Sequence, residues 1–324
     1  MNRFSIIVCA YTEKRWEDLL SAVDSLRLQT RPADEIILAI DHNPALFERA
    51  KTRFPELIVV ENVEKRGLSG ARNSGIAAAH GDVIAFMDED AAADPNWLAL
   101  LEQGFSDQDV MGVGGAIIPW WIAKQPVWFP EEFNWVVGCT YRGMPEVTSP
   151  VRNLIGCNMA FQSELFRNAG GFRSDIGRVG TFPAGCEETE LCIRARQVNT
   201  EGRFVYEPRA QVRHRVPAAR TNLKYFAQRC YAEGLSKALV SQLVGTQSGL
   251  SNERTYTFST LPKGVLRGLG DALFRGQVSG FGRAGAILLG LGFTTTGYIA
   301  GRLMLLLDKN KPIATPNLTL DQAK

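Results

Sequence analysis

This 324-residue chain lacks the features that mark several common protein classes. Its formal net charge is only +2, so no overall positive charge favours nucleic acid as a partner. The six cysteines form no C-x-x-C pair, which argues against a zinc or dithiol redox site and indicates reduced core residues. No G-x-G-x-x-G follows a strand, as a dinucleotide-dependent dehydrogenase would require. Internal repeats and low-complexity segments are also missing.

The amino terminus becomes strand-like at once, from Phe4 to Cys9. It has neither the longer apolar segment nor the small-residue cleavage site of a signal peptide, so we expect a cytoplasmic location. With 45% hydrophobic and 22% charged residues, the chain can build a substantial core. We expect one large domain, or one domain with extensions.

Strand-like and helical patterns alternate in the first third of the chain. Strands are predicted over 4–10, 35–40, 57–60 and 83–87, with helical patterns over 16–29 and 70–80. This order is typical of a doubly wound α/β sheet, which binds its ligands beyond the carboxyl ends of its strands.

Three consecutive acids, Asp88, Glu89 and Asp90, follow the last of these strands. Adjacent carboxylates repel one another and cannot all be buried cheaply, so a divalent cation or solvent usually compensates them. At the carboxyl end of a strand, such a cation typically holds a phosphate-bearing ligand. The acids therefore predict a metal and phosphate site.

Two further segments at strand ends have open interpretations. The segment from Glu64 to Asn73 contains Gly67, Gly70 and the bidentate donor Arg72, and it either embraces a diphosphate or forms an ordinary turn and helix cap. Asp41 follows the second strand and precedes turn residues. It either accepts a hydrogen bond from a nucleotide base or only caps its turn.

Adjacent acids occur again at Glu187 and Glu188, where a helix is predicted to start. One interpretation is a structural carboxylate beside a general base whose pKa is set by its surroundings. The other is that both acids only suit the positive end of the helix dipole.

His214 lies just after a predicted strand at 203–206, between Arg213 and Arg215. Their charges would favour the neutral ring that can ligate a metal, and an ordinary surface histidine is the alternative. Three cations follow at helical or near-helical spacing: Arg220, Lys224 and Arg229. They face either phosphates or water.

An aromatic segment runs from Trp120 to Trp135. Such a segment can stack on sugar rings, contact lipid, or bury itself in the core or as a lid.

The carboxyl-terminal part contains an uncharged stretch of 18 residues, 284–301, preceded by several basic residues. About 20 apolar residues are needed to cross a bilayer, and this stretch carries five glycines. We favour a basic, apolar element that lies on a membrane. Packing on the domain and a true span are the alternatives.

Taken in their order, these motifs resemble the family 2 inverting glycosyltransferases with the GT-A fold, over roughly residues 4 to 234. The resemblance implies an α/β fold: a Rossmann-like, nucleotide-binding mixed sheet with helices on both faces, here followed by a helical, apolar extension. It divides the chain into a nucleotide-sugar half at 1–118, an acceptor and catalytic half at 119–245, and an extension at 246–324.

Site roles follow from the same resemblance. Asp88-Glu89-Asp90 is similar to the D-x-D element, so Asp90 would ligate Mg²⁺ or Mn²⁺, together with His214. Glu188 takes the place of the general base, which is commonly aspartate in the family. The donor would be bound by Ala10, Tyr11, Glu13, Asp41, Gly67, Arg72, Asn73, Asp88, Glu187 and Arg220.

The implied activity is metal-dependent, inverting transfer of a sugar from a nucleotide diphosphate donor, most readily a UDP-sugar. The expected acceptor is a carbohydrate or lipid-linked glycan in polysaccharide, glycolipid or cell-envelope synthesis, used by an enzyme peripheral to the inner face of the cell membrane. A nucleotidyltransferase is a poorer interpretation, since no glycine-rich loop follows the first strand. A degenerate membrane-associated scaffold is the other rival, and the retained acids argue against it.

Overall fold

The computed structural model describes residues 2–176, 185–245 and 254–307. Within these ranges nine strands form one sheet. They are β1 (Phe4–Ala10), β2 (Glu35–Ile40), β3 (Ile58–Glu61), β4 (Val83–Asp88), β5 (Ala91–Ala93), β6 (Val110–Trp121), β7 (Ser149–Val151), β8 (Asn158–Gln162) and β9 (Arg203–Val216). The four strands predicted in the first third are all present.

Helices connect and follow these strands. They are α1 (Trp16–Arg27), α2 (Pro44–Arg53), α3 (Leu68–Ala78), α4 (Trp97–Gly104), α5 (Ser163–Ala169), α6 (Glu187–Val198), α7 (Leu223–Val244), α8 (Leu261–Phe274) and α9 (Ser279–Leu307). Three 3₁₀ segments lie at Glu13–Arg15, Glu131–Val137 and Ala218–Arg220, and a π-helical segment, Tyr256–Thr260, runs into α8.

The sheet is mixed, with the strand order β3-β2-β1-β4-β8-β6-β9-β5 and β7 paired to β9. Strands β3, β2, β1 and β4 are parallel to one another. β8 runs antiparallel to both of its neighbours, β4 and β6, while β6 and β9 are parallel. Every residue of β1 is buried, as expected for a parallel strand covered on both faces.

Alternate residues of a strand point to opposite faces of its sheet. In β1, Ile6 and Val8 belong to one buried cluster, whereas Ile7 and Cys9 belong to another. Residues of α1 and α2 join the first cluster, and residues of α3 and α6 join the second. Helices therefore cover both faces of the sheet. All six cysteines are buried and free, in agreement with the sequence analysis.

One strand is longer than predicted. The pattern at 203–206 indicated a short strand with His214 beyond its end, but β9 continues to Val216 and contains His214. The expected boundary at residue 118 lies inside β6, and that at 245 coincides with the end of α7. The division into three segments stays a prediction.

Helix α9 packs along α7 through small residues. A side chain at Gly301 would bring its Cβ to 2.7 Å from that of Ala238, and Gly234 lies against the backbone of Thr294 and Tyr298. Among the described residues, α9 is the one helix long and apolar enough to cross a membrane. An 18-residue stretch of it has a mean hydropathy of 1.3, and about a third of that stretch is buried. One side of α9 therefore packs against the rest of the protein.

Candidate active site

Strand pairing brings the acids after β4 to a histidine from the second half of the chain. β4 ends at Asp88, and the chain enters β5 at Ala91, which pairs with His214 on β9. The backbone N–H of Arg215 donates to the carbonyl oxygen of Asp90 at 2.9 Å. As a result His214 Nε2 lies 3.2 Å from Asp90 Oδ1, and both side chains are buried. The two residues expected to ligate metal are therefore in contact.

Cations surround the Asp90 carboxylate. Besides His214, Arg15 Nη1 lies 3.0 Å and Arg220 Nη2 lies 4.0 Å from Asp90 Oδ2. Burial raises the pKa of Asp90. The charge and hydrogen bond of His214 and the charges of the two arginines outweigh this effect and lower that pKa to well below its ordinary value. Asp90 is thus an ionised carboxylate held by positive charge.

The predicted neutral state of His214 is wrong for this arrangement. Burial lowers its pKa, but the charge of Asp90 and the hydrogen bond to it raise that pKa to about 10. The two arginines beside His214 in the sequence do not prevent this rise in its pKa. Arg215 pairs with Asp18, and Arg213 is exposed on the strand. A metal on Nε2 would have to replace a proton, because only the neutral ring is a ligand.

The donor atoms in this region fit a divalent cation. Ligand atoms of Asp88, Cys157 and His214 all lie within 4.8 Å of one another. Burial raises the pKa of the Cys157 thiol well above its usual value, so that sulfur stays protonated, and Mg²⁺ and Mn²⁺ prefer oxygen. The candidate ligand set is therefore Asp88 and His214, together with Asp90, whose Oδ1 lies 3.2 Å from His214 Nε2. We call these three residues the metal group, and Asp88, expected only as a donor contact, becomes a candidate ligand.

Arg72 links two other predicted site residues, Glu187 and Asp88. Its guanidinium is buried, with Nη1 2.9 Å from Glu187 Oε1 and Nη2 3.7 Å from Asp88 Oδ1. Nη2 also donates to the carbonyl oxygen of Gly156 at 3.2 Å. Because the fork binds several acceptors at once, Arg72 fixes the relative positions of the acids from β4 and α6.

Glu188 is the predicted general base. It lies in the first turn of α6, is partly buried and faces the cavity described below. Burial and the charge of Glu187 raise its pKa to about 8, while Arg72 opposes the shift. Directly before the helix, Cys186 has a φ of 74°, a left-handed conformation that residues other than glycine seldom adopt. Such strain concentrates at functional sites.

Glu89, which is buried, and Arg15, which is partly buried, form an ion pair that the sequence analysis did not foresee. Arg15 Nη1 donates to Glu89 Oε1 at 2.7 Å. Burial and the charge of Asp90 raise the pKa of Glu89 to about 7, and Arg15 opposes that shift. Arg15 thus forms ion pairs with both Glu89 and Asp90. No sequence signal links it to Glu89, since the two residues are 74 positions apart.

Asp41, Gly67 and Asn73 shape the loops beside the sheet edge. Asp41 Oδ2 accepts the backbone N–H of Gly67 at 3.0 Å, and its Oδ1 accepts Asn62 Nδ2 at 2.7 Å. Asn73 exchanges two hydrogen bonds of 2.8 Å with the backbone of Phe172. Gly67 has a φ of 132°, which favours glycine. Each carboxylate oxygen of Asp41 already accepts one hydrogen bond.

The remaining predicted donor contacts lie near the end of β1. Ala10 is its last residue and is buried, Tyr11 is exposed with Arg15 stacked 5.6 Å from its ring centroid, and Glu13 is exposed. Together with the three loop residues above, they do not line the cavity among the described residues.

A cavity of about 420 Å³ is lined by the other predicted site residues except Asp90, which lies against the lining residue His214. Its polar wall contains Arg72, Asp88, Glu187, Glu188, His214 and Arg220. Facing it are the aromatic segment and the last helices, with Phe133, Trp135, Tyr141, Tyr256, Leu291 and Tyr298. The aromatic segment thus both packs in the core, through the buried Phe133, and lines the cavity.

The same cavity contains three residues of α7 to which the sequence analysis gave no site role, Arg229, Glu233 and Lys237. Their spacing of four residues was a usable signal, because it places them on one face of a helix. For Arg229 the sequence predicts only a cation that faces either phosphate or water.

Comparison with known sequences gives one family. The family model described as Glycosyl transferase family 2 matches residues 5–170. A relative from Haloferax volcanii, glucosyl-dolichyl phosphate glucuronosyltransferase, is 34% identical over 245 residues. That match covers 74% of this chain and 78% of the relative.

Two solved structures have the same fold at low sequence identity. The mannosyltransferase PcManGT from Pyrobaculum calidifontis, solved with GDP-Man and Mn²⁺, matches with a TM-score of 0.56 and 17% identity over 90% of this chain and 87% of its own. GalNAc-T7, solved with UDP, GalNAc and Mn²⁺, matches with a TM-score of 0.52 and 17% identity over 72% of this chain and 48% of its own.

Proposed function

The chain belongs to glycosyl transferase family 2 and has the GT-A fold, and on this basis we propose that it is a metal-dependent, inverting transferase that uses a UDP-sugar. One observation carries the mechanism: Glu188, a carboxyl whose pKa is raised, shares a cavity with Asp88 and His214 of the metal group. A base and a cation site on one cavity are what an inverting transfer requires.

In this mechanism Asp88, Asp90 and His214 would hold the cation. When bound, the cation neutralises charge that grows on the departing diphosphate. Arg220, buried beside Asp90, adds a fixed positive charge on the same side of the cavity. Arg72 keeps Asp88 and Glu187 in place, so the polar wall is ordered before substrates bind.

Glu188 accepts the proton of the acceptor hydroxyl. The hydroxyl oxygen then forms a bond to the anomeric carbon of the donor while the bond from that carbon to the diphosphate oxygen breaks. The electron pair leaves with the nucleotide diphosphate. Because the attack comes from the face opposite the leaving group, a single displacement inverts the anomeric centre.

We assign the nucleotide to the carboxyl ends of β1 and β2, where ligands of such sheets bind. Asp41 would contact the uracil base, with the donor also bound by Ala10, Tyr11, Glu13, Gly67 and Asn73. In this division residues 1–118 bind the donor, residues 119–245 bind the acceptor and supply the base, and residues 246–324 form the extension. One structural neighbour was solved with UDP and the other with GDP-Man, so the identity of the nucleotide base is to be tested.

We propose a lipid-phosphate-linked sugar as the acceptor. The relative from Haloferax volcanii is named for a glucosyl-dolichyl phosphate acceptor, which supports this class. The aromatic wall suits a sugar, since Trp135 and Tyr256 present flat rings joined by a hydrogen bond of 2.9 Å from Nε1 to the hydroxyl. Leu291 and Tyr298 of α9 line the same cavity.

The outer side of the last two helices supports membrane docking. Its exposed apolar residues include Leu266, Leu273, Phe274, Leu288, Leu289, Phe293, Ile299, Leu303, Leu306 and Leu307. We call this surface the apolar face. Because the other side of α9 packs on α7, the helix would lie along the membrane surface, at the inner leaflet, instead of spanning the bilayer.

A thermal-shift panel of UDP, GDP, TDP and UDP-sugars with Mn²⁺ tests the proposal, because ligands of the native state raise its melting temperature. We expect stabilisation by UDP that needs Mn²⁺, and slow hydrolysis of the correct UDP-sugar. Stabilisation by GDP but not UDP would overturn the base assignment. Neither metal-dependent binding nor hydrolysis would favour the scaffold interpretation.

A further inference from the structure

Three charged residues on α7 line the cavity but have no part in the chemistry proposed above. Arg229, Glu233 and Lys237 lie four residues apart on one helix face. Their side chains are only 11%, 13% and 23% exposed. Charged side chains are seldom buried this far without a structural or binding role.

Glu233 joins the two cations. Its Oε2 lies 3.2 Å from Arg229 Nη1, and its Oε1 lies 3.4 Å from Lys237 Nζ. Burial raises the pKa of Glu233, but Lys237 and Arg229 lower it to below the ordinary value, so the carboxylate is ionised. The three residues thus combine two positive charges with one negative charge at the cavity wall.

Arg229 has hydrogen-bonding capacity beyond this pair. Within the described residues it makes one hydrogen bond, from Nη1 to Glu233, whereas a guanidinium carries five N–H donors. A Cβ at Gly185 would lie 3.3 Å from Arg229 Nη2, so the glycine lets the guanidinium approach the backbone that leads into α6. The free donors therefore lie close to the segment that carries Glu188.

We propose that Arg229 and Lys237 bind the phosphate of the lipid-linked acceptor, with Glu233 holding the two cations in position. This inference rests on the proposed function. The cations beside Asp90, namely Arg15 and Arg220, are those we leave for the donor diphosphate. Helix α7 packs both on α6, which carries Glu188, and on α9, whose outer side belongs to the apolar face.

A phosphate at this position fits the order of groups in such an acceptor. The attacking hydroxyl lies at the base, the phosphate is one sugar away, and the isoprenoid follows. The fork of Arg229 suits bidentate contact with phosphate oxygens, and Lys237 supplies a point charge.

Citronellyl phosphate, a short isoprenyl phosphate, is the probe, with citronellol as its uncharged counterpart. In the full chain with UDP and Mn²⁺, calorimetry should detect binding of the phosphate but not of the alcohol. Arg229→Gln and Lys237→Gln should each weaken that binding about tenfold or more, as expected for charge-assisted hydrogen bonds. Lys224→Gln, at an exposed lysine of the same helix, is the matched control and should bind like wild type.

The outcomes separate this inference from the proposed function. If no nucleotide of the thermal-shift panel stabilises the wild type with Mn²⁺, the proposed function fails first. If UDP binds but Arg229→Gln and Lys237→Gln retain wild-type affinity for citronellyl phosphate, the phosphate site is wrong. The phosphate site is also wrong if the only effect of these substitutions is a lost preference for a UDP-uronic acid over a UDP-hexose. The anion bound by Arg229 and Lys237 would then be the carboxylate of the donor sugar. Lys237→Gln, at the most exposed of the three, decides the matter if Arg229→Gln does not fold.

Discussion

His214 Nε2 on β9 lies 3.2 Å from Asp90 Oδ1, two residues beyond the end of β4, and the contact brings a buried base against a buried acid. The sequence separates the two residues by more than a hundred positions, and the pairing of β5 with β9 joins them. Each residue alters the pKa of the other in the direction that keeps both charged. A cation at this place would compete with the proton of the ring.

Asp90→Asn tests the metal group. The amide keeps the shape of the side chain but loses its charge, so we expect stabilisation by UDP with Mn²⁺ to disappear and transfer to fall roughly 10²-fold or more. Melting curves with and without Mn²⁺ and UDP measure the first effect, and initial rates the second. Asp24→Asn, at an exposed acid of α1, is the control. Wild-type metal dependence in Asp90→Asn would remove Asp90 from the metal group.

Glu188→Gln separates a general base from an acid that only suits the helix start. Without the base we expect transfer to slow by roughly 10²-fold or more, while binding of UDP with Mn²⁺ stays unchanged. Glu17→Gln, at an exposed acid in the first turn of α1, should be as active as wild type. Wild-type rates in Glu188→Gln would reduce Glu188 to a helix-start residue.

The raised pKa of Glu188 predicts how activity depends on pH. A base works only when deprotonated, so kcat/KM should rise with pH and level off above about 8. The pH profile of the wild type measures this rise. Glu188→Gln should flatten it, and an unchanged rise in that variant would assign the titration to another group.

The same group has an opposite effect on stability. Between the ordinary glutamate pKa and about 8, the folded state keeps a proton that the unfolded state has lost, so stability falls as pH rises. Glu188→Gln removes this dependence. We therefore expect the variant to gain in melting temperature over wild type as pH rises towards 8, and a loss at all pH values would contradict this.

Arg72→Met tests the buried network. The change leaves the Glu187 carboxylate buried without its cation, so we expect unfolding to become easier by about 3 to 5 kcal/mol. Urea denaturation measures the loss. The double variant Arg72→Met/Glu187→Gln should lose less than the sum of the two single variants, because no uncompensated charge remains. Simple additivity would show that the two side chains do not act together.

Substitutions on the apolar face test membrane docking in the full chain. Leu303→Gln with Leu306→Gln should weaken flotation with anionic liposomes about tenfold or more, since less apolar surface leaves water. Leu28→Gln with Val63→Gln changes exposed apolar residues elsewhere and is the control. Equal flotation of both double variants, or no flotation of wild type, would refute the docking surface.

Sequence reasoning recovered the elements whose pattern is local. β1 and β4 are continuous apolar runs, and the acids after β4 lie at a strand end because the strand itself is unmistakable. The three-residue strands β5 and β7 are too short for any periodicity, so they were not predicted. Family membership and the GT-A fold were predicted from ordered motifs and are confirmed.

The errors and omissions come from contacts between distant segments. The arginines beside His214 in the sequence predict a neutral ring, but in a strand adjacent side chains point to opposite faces of the sheet. Its actual partner, Asp90, arrives from another strand. For the same reason the pair of Arg15 with Glu89 was invisible in the sequence.

Helix α9 has the cavity on one side and the apolar face on the other, and a helix with its side chains is only about 10 Å across. For a lipid-linked acceptor, the reactive sugar and the isoprenoid therefore need to be separated by little more than one helix diameter. The lipid would not have to be extracted from the bilayer. Encounter would then be a search in two dimensions, governed by the density of acceptor in the leaflet instead of its concentration in solution.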